Sequence, residues 1–265
     1  MEYVTLNTGA KMPILGFGVY QIPVDQTEDA VSAAIATGYR HIDTAQYYRN
    51  EAGVGRAIKA SGLPREDFFI TTKVGTSGYR ETKRQIDRAL NNLQTDYIDL
   101  MLVHWVMSDY QGTYEALVEA YKEGKLRAIG LSNFNQRQIR GIMERFDVAP
   151  AVLQNEMHIF HQQAEMRDFT QKNGIQFESW APFGEGAHDI FNHPVIAQIG
   201  AKYGKSVAQV ILRFITQEGV VAIPKSIRPE RMAENFDIFD FELSVEDLAT
   251  LRGLNEDRGL FGWNS

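Results

Sequence analysis

The chain contains no cysteine, which removes disulfides and thiolate metal sites and leaves redox compartment unreadable from pairing. It also lacks an excess of positive charge. Its 27 Lys and Arg stand against 34 Asp and Glu, a net charge of −7, and nucleic acid and anionic membranes both select basic surfaces. Neither is expected as the main partner. No hydrophobic run approaches the roughly 18 residues of a membrane span. The opening MEYVTLNTGAKMP has neither the basic n-region nor the apolar h-region of a secretory signal, so a cytoplasmic location is the plain expectation. No Pro/Gly/Ser-rich linker or charge block interrupts the chain, and one domain over residues 1–265 is expected. With no long apolar stripe demanding a partner subunit, that domain is expected to be a monomer.

What is present is an alternation. Among 265 residues, 44% are hydrophobic and 23% charged, enough for a large core and close to the roughly 250 residues of a (β/α)8 barrel. Short β-rich runs fall at Leu15–Gly18, His41–Asp43, Phe69–Lys73, Ile98–Val103, Ile129–Ser132, Val152–Asn155, Gln176–Trp180 and Val220–Pro224, with segments of helical period between them. DQTEDAVSAAIATG carries Val31, Ala34 and Ile35 on one face and stops at Gly38; RETKRQIDRALNNLQ repeats Ile86, Leu90 and Leu93. Eight strands suggest an α/β fold closed as a TIM barrel. Ahead of them, YVTLNTGAKMPIL reads as a β-hairpin turning at Asn7-Thr8-Gly9, placed to plug the barrel bottom. After strand seven, HPVIAQIGAKYG and SVAQVILRFITQEG read as two helices, so one is extra. No element is assigned after Gly253.

Four polar residues fall where successive strand ends are expected: Asp43 and Tyr48 in HIDTAQYYRNE, Lys73 in FFITTKV and His104 in IDLMLVHW. Barrel chemistry sits at the carboxyl ends of the strands. A phenol, with a pKa of about 10, is a poor proton donor near neutrality, and a cation beside it favours the phenolate. Lys73 is placed to supply that charge, Asp43 to hold the lysine, and His104 to orient a substrate oxygen. Singly, each has an ordinary alternative: a helix cap for Asp43, a solvated strand end for Lys73, a core aromatic for Tyr48, a satisfied buried histidine for His104.

The stretches GFGVYQI, GYRHIDTAQYYRNE, ITTKV, DLMLVHW, GKLRAIGLSNF, LQNEMHIFHQ and IPKSIRPERMAEN, in this order from about residue 4 to residue 254, resemble the aldo-keto reductases, most closely the short bacterial branch around 2,5-diketo-gluconate reductases. The resemblance implies a catalytic tetrad of Asp43, Tyr48, Lys73 and His104, with Tyr48 as general acid in reducing a small aldehyde or ketone such as a keto-sugar, an α-keto aldehyde or an aryl aldehyde.

Such a reduction needs a hydride donor, and a nicotinamide cofactor is the natural one. The dinucleotide fingerprint is missing: Gly16-Phe17-Gly18 is followed by Val19, Tyr20 and Gln21 with no third glycine, which reads better as a tight barrel turn. Ser132, Asn133 and Gln154 offer a hydroxyl and two amides suited to a carboxamide, as their equivalents do in the family. Capping and core hydrogen bonding are their alternatives. Trp180 could stack on the nicotinamide ring. Lys225, Ser226, Arg228 and Arg231 in IPKSIRPER suit a doubly charged phosphate, and their likeness to the family's 2′-phosphate grip favours NADP(H). Glu234 and Asn235 match adenine-contacting positions.

Against the family's pattern, Gly75 stands where many relatives carry tryptophan, and Val106 and Ile159 where proline is common. A wider pocket with a shorter lid is expected, walled by Tyr20, Tyr47, Trp105 and Trp263. Glu156, His158 and His161 cluster in NEMHIFH without the HExxH spacing of a zinc site, and no metal is expected. Two other classes remain open: a metal-assisted hydrolase or isomerase on the same barrel, and a cofactor-holding subunit resembling the potassium-channel β subunits.

Overall fold

The structure is a computed structural model and describes residues 1–262. It opens on a hairpin, β1 (Tyr3–Thr5) against β2 (Lys11–Pro13), registered with Tyr3 opposite Pro13. The turn closes where expected. Gly9 donates its N–H to the Leu6 carbonyl at 2.9 Å with φ at 85°, left-handed backbone that glycine adopts without cost.

Eight parallel strands follow: β3 (Phe17–Gly18), β4 (His41–Asp43), β5 (Phe69–Val74), β6 (Leu100–Val103), β7 (Ile129–Ser132), β8 (Val152–Glu156), β9 (Gln176–Trp180) and β10 (Val221–Ala222). They neighbour one another in sequence order, and a parallel bridge from Leu15 to Ala222 joins the first to the last. The expected (β/α)8 barrel is therefore what forms. Around it run α1 (Thr27–Thr37), α2 (Glu51–Ala60), α3 (Tyr79–Leu93), α4 (Tyr110–Lys122), α5 (Gln136–Arg145), α6 (Ala164–Lys172), α7 (Pro194–Tyr203), α8 (Val207–Gln217), α9 (Pro229–Phe236) and α10 (Val245–Arg252). Helix α1 buries Val31, Ala34 and Ile35 and stops at Gly38. The additional helix after the seventh barrel strand is α7, separated from α8 by Gly204 in left-handed conformation and by a Ser206/Gln209 capping box. Helix α10, capped by Ser244, is an element the hydrophobic pattern did not disclose.

The two-residue period of a strand sorts side chains between the barrel interior and the helix layer. On β5, Ile70 and Val74 pack outward into the helix layer, whereas Phe69 joins the barrel floor and Thr71 and Lys73 share its inward direction. On β6, Leu100 and Leu102 point in and Met101 and Val103 out. The hairpin plugs the floor: Leu6 and Met12 pack with Phe69, Leu100, Val152 and Val221. Above this apolar layer the inward positions turn polar.

Gly16 and Gly18 correct one expectation, for this segment is the barrel's seam and not a turn. Gly16 donates to the Ala222 carbonyl at 2.8 Å and Gly18 to that of Pro224 at 3.1 Å. A Cβ on Gly16 would lie 2.4 Å from His41 Nδ1, and one on Gly18 would lie 2.9 Å from the Ile223 carbonyl oxygen. Gly16→Ala should lower stability by about 1–3 kcal/mol through overpacking, read as a reduced urea midpoint with unchanged m-value.

Candidate active site

Asp43 at the end of β4 and Lys73 near the end of β5 meet inside the barrel. Lys73 Nζ donates to Asp43 Oδ1 at 2.6 Å, to the Thr44 carbonyl at 2.9 Å and to Tyr48 Oη at 3.5 Å. Lys73 is 1% exposed and Asp43 2%. Burial alone lowers the ammonium's pKa, but Asp43 and Tyr48 together outweigh it, and Lys73 stays charged. Tyr48 ends a short 3₁₀ turn, Gln46–Tyr48, which drops its ring over the lysine, 5.1 Å from Nζ to centroid. His104 follows β6; its ring lies 5.9 Å from that of Tyr48 at 76° and stacks on Trp105 at 3.5 Å.

The phenol differs from expectation. Burial, with a smaller push from Asp43, raises Tyr48 to about 12, although Lys73 pulls the other way. The lysine's charge is already balanced by Asp43, so it offsets only part of the desolvation. Tyr48 thus holds its proton firmly. His104 is pushed well below the ordinary imidazole range, by burial first and Lys73 second, and is neutral.

Tyr48 and His104 line a cleft of about 340 Å³ together with Asp43, Ser132, Asn133, Gln154, Trp180, Lys225 and Arg231. Tyr20, Tyr47 and Trp105 form an aromatic wall of the same space; Tyr20 lies 4.9 Å from Tyr48, and Tyr47 meets Trp105 edge-on at 5.3 Å. Lys73 lies behind Tyr48 and does not line the cleft. Nor do Ser226, Arg228, Glu234 and Asn235. Ser226 Oγ accepts from the Arg228 N–H at 3.1 Å, shaping the turn into α9, whose first residue is Pro229. Glu234 is half-buried and Asn235 buried on that helix. Lys225, Arg228 and Arg231 are exposed and form no ion pair among the described residues. Trp263 lies outside the described residues.

The polar atoms on the cleft wall have a definite donor and acceptor balance. Gln154 Nε2 donates to Asp43 Oδ2 at 2.8 Å and to Glu178 Oε2 at 2.9 Å, so only Oε1 is left for a ligand. Asn133 Nδ2 donates to the His104 carbonyl at 3.0 Å and to Ser132 Oγ at 3.1 Å; its Oδ1 accepts from Trp180 Nε1 at 3.0 Å and keeps one lone pair. The Ser132 hydroxyl hydrogen is left to donate. One donor and two acceptors match a primary carboxamide, which has one acceptor oxygen and two N–H groups. Asn133 reaches this position through left-handed backbone, φ 63°. It is no helix cap, since α5 is capped by Asn135 with Gln138.

Several features escaped the sequence reading. An irregular stretch, Gly184–Asn192, brings Glu185 and Phe191 to the cleft beside Phe183. Glu178 lies buried beneath it, two residues before Trp180 and therefore on the same inward face, a signal strand alternation could have supplied. Among the expected pocket-shaping departures, Ile159 is packed in the core and does not touch the cleft. At Gly75 a Cβ would meet only Tyr47 N, at 3.8 Å, which leaves that side open. Glu156 is occupied by His158 Nε2 at 3.2 Å and by the Leu260 N–H at 2.6 Å, and Phe261 lies 5.2 Å from the Trp180 ring. Among the described residues no helix is long and apolar enough to cross a membrane.

The chain matches the Aldo/keto reductase family over residues 14–256. It is 46% identical over 260 residues to the glyoxal reductase of Bacillus subtilis (strain 168), covering 97% of this chain and 94% of that one. The crystal structure of MGS-M4, an aldo-keto reductase enzyme from a Medee basin deep-sea metagenome library, superposes with a TM-score of 0.94 at 41% identity over 97% of both chains. That of a Bombyx mori aldo-keto reductase in complex with NADP gives 0.91 at 31% identity, over 97% of this chain and 94% of the other.

Burial also holds His41 neutral, lowering it to about 3 with a further contribution from Lys73. A histidine depressed in the folded chain contributes stability that is present above the unfolded value of about 6.5 and is lost as pH falls. The His41 and His104 ring resonances should therefore not titrate between pH of about 8 and about 5, as ¹H–¹⁵N NMR can check, while the denaturant midpoint declines below about 6.5.

Proposed function

Because the chain belongs to the aldo/keto reductase family, we propose that it reduces small aldehydes and ketones with NADPH, Tyr48 acting as the general acid. The observation that carries the reading is the shared cleft: a protonated phenol backed by a buried ammonium faces the same space as a triad complementary to a carboxamide. Bound NADPH supplies a hydride to the carbonyl carbon. Tyr48 Oη gives its proton to the carbonyl oxygen, and the phenolate left behind is stabilised by Lys73 until it recovers a proton from solvent. Neutral His104 donates a hydrogen bond to the same oxygen, which fixes the carbonyl's orientation and stabilises the charge developing on it. Asp43 keeps Lys73 charged and in place.

Ser132, Asn133 and Gln154 would hold the carboxamide, and Trp180 would stack on the nicotinamide. Lys225 and Arg231 on the cleft, with Arg228 and Ser226 at the start of α9, would take the 2′-phosphate, a dianion that suits guanidinium forks beside a helix N-terminus. Glu234 and Asn235 would meet the adenine. On the substrate side Tyr20, Tyr47 and Trp105 form an uncharged wall suited to aryl aldehydes, α-keto aldehydes and keto-sugars; the similarity to a glyoxal reductase supports the small dicarbonyl members of that set.

Tyr48→Phe should bind NADPH as the wild type does, measured by tryptophan-fluorescence quenching, yet lose carbonyl reduction by about two or more orders of magnitude. Near-normal turnover would remove the proton-donor role. Replacing Lys225 and Arg231 by alanine should raise the Kd for NADPH by about 10–100-fold through lost charge-assisted hydrogen bonds and change that for NADH little. Equal loss for both dinucleotides would refute the phosphate assignment.

A further inference from the structure

Beneath the cleft, among the described residues, two carboxyl groups and one ammonium share the barrel interior. Asp43 is paired with Lys73 at 2.6 Å. Glu178, fully buried on β9, has among the described residues only His41 within ion-pair distance, 3.7 Å from Oε1, and that imidazole is neutral. Its Oε1 has no hydrogen-bond partner among the described residues. Its Oε2 accepts one hydrogen of the Gln154 amide while Asp43 Oδ2 accepts the other. The titratable groups facing Glu178 are Asp43 and His41 on β4 and Lys73 on β5; neighbouring β8 presents Gln154 and β10 presents Val221.

Resting on the reductase reading, we propose that Glu178 is a positioning residue for the reaction: with Asp43 it fixes the Gln154 amide so that its oxygen faces the cleft, and its own proton keeps the buried site neutral so that Tyr48 can release its proton. The argument is one of charge. Among the described residues Lys73 is the one cation that faces both carboxyls, so two ionised carboxylates would leave an uncompensated negative charge in the barrel, and burial makes that costly. The proton belongs on Glu178, because Asp43 holds the ammonium. Burial first and Asp43 second push Glu178 up to about 8. Once Glu178 ionises, the same interior has to bear the Tyr48 phenolate as well, so Tyr48 becomes a weaker acid and reduction slows. The Gln154 amide has no freedom to flip, since both its N–H groups face carboxyl oxygens.

Two variants separate the roles. Glu178→Gln keeps an acceptor for the Gln154 amide but has no proton to lose, whereas Glu178→Leu removes both. The kcat/KM for reduction by the wild type should fall as pH rises through about 8. Glu178→Gln should lack that inflection while staying within about threefold of the wild type near pH 6. Glu178→Leu should bind NADPH about tenfold more weakly at every pH because Gln154 is no longer fixed, and Glu178→Gln should not. An inflection retained in Glu178→Gln, or wild-type NADPH affinity in Glu178→Leu, would overturn the proposal.

A readout without cofactor completes the test. The infrared carbonyl band of a protonated carboxylic acid should be present in the wild type at neutral pH, vanish on titration through about 8 and be missing from Glu178→Gln. The raised pKa also gives Glu178 a contribution to stability that is full below the unfolded carboxyl value of about 4.3 and is lost as pH rises to the folded value of about 8, so across that window the wild-type Tm should drop relative to the variant's. Absence of the band in an active enzyme overturns this inference alone. Absence of reduction by the wild type overturns the reading on which it rests, and the inference with it.

Discussion

The Lys73–Asp43 pair is the contact on which the rest of the site is built. Both side chains are buried, and an isolated charge in that position would be expelled or neutralised. Paired at 2.6 Å, they place a fixed positive charge behind Tyr48 and anchor one hydrogen of Gln154. Through Gln154 the order reaches β8 and β9, and through Tyr48 it reaches the cleft. Removing either partner leaves an uncompensated charge in the centre of the barrel, so stability and chemistry cannot be varied independently here.

That arrangement recasts what the lysine does. A cation beside a phenol does not by itself make a strong acid when the phenol is also desolvated and the cation already has a carboxylate. Tyr48 remains protonated well beyond neutrality. The charge of Lys73 matters instead at the moment the proton leaves, when the phenolate must be borne in a medium of low polarity. A neutral His104 fits the same scheme, since a second positive charge beside Lys73 would be disfavoured and an uncharged imidazole can still donate a hydrogen bond.

Much of this was legible in the sequence, for identifiable reasons. The β4, β7 and β9 ranges follow directly from short β-rich runs, because each strand is bounded by residues that break its pattern. The two-residue period then sends Lys73 and His104 to the same interior as Asp43 without knowledge of any contact. What escaped was what depends on the path of the backbone between strands. The left-handed residues of 184–192 carry no periodic signal, and Glu178 looked like one more strand residue until its neighbours defined the charge around it. Ile159 misled in the opposite sense, since a substitution beside a site motif turned out to serve the core. In the sequence the seam at Gly16 and Gly18 reads as a turn, because two strands distant in sequence have to meet before the need for glycine becomes visible.

The seam carries a mechanical consequence. The cylinder is fastened there by few backbone hydrogen bonds, Ala222 and Pro224 holding the first strand to the last, and Lys225 comes immediately after the fastening. A dinucleotide lying from Ser132, Asn133 and Gln154 to that lysine would run past β9 and β10 on one side of the join and would brace the strand to which the first is fastened. Without that brace the cylinder would be expected to breathe along this line first, loosening the turn that carries Lys225 into α9.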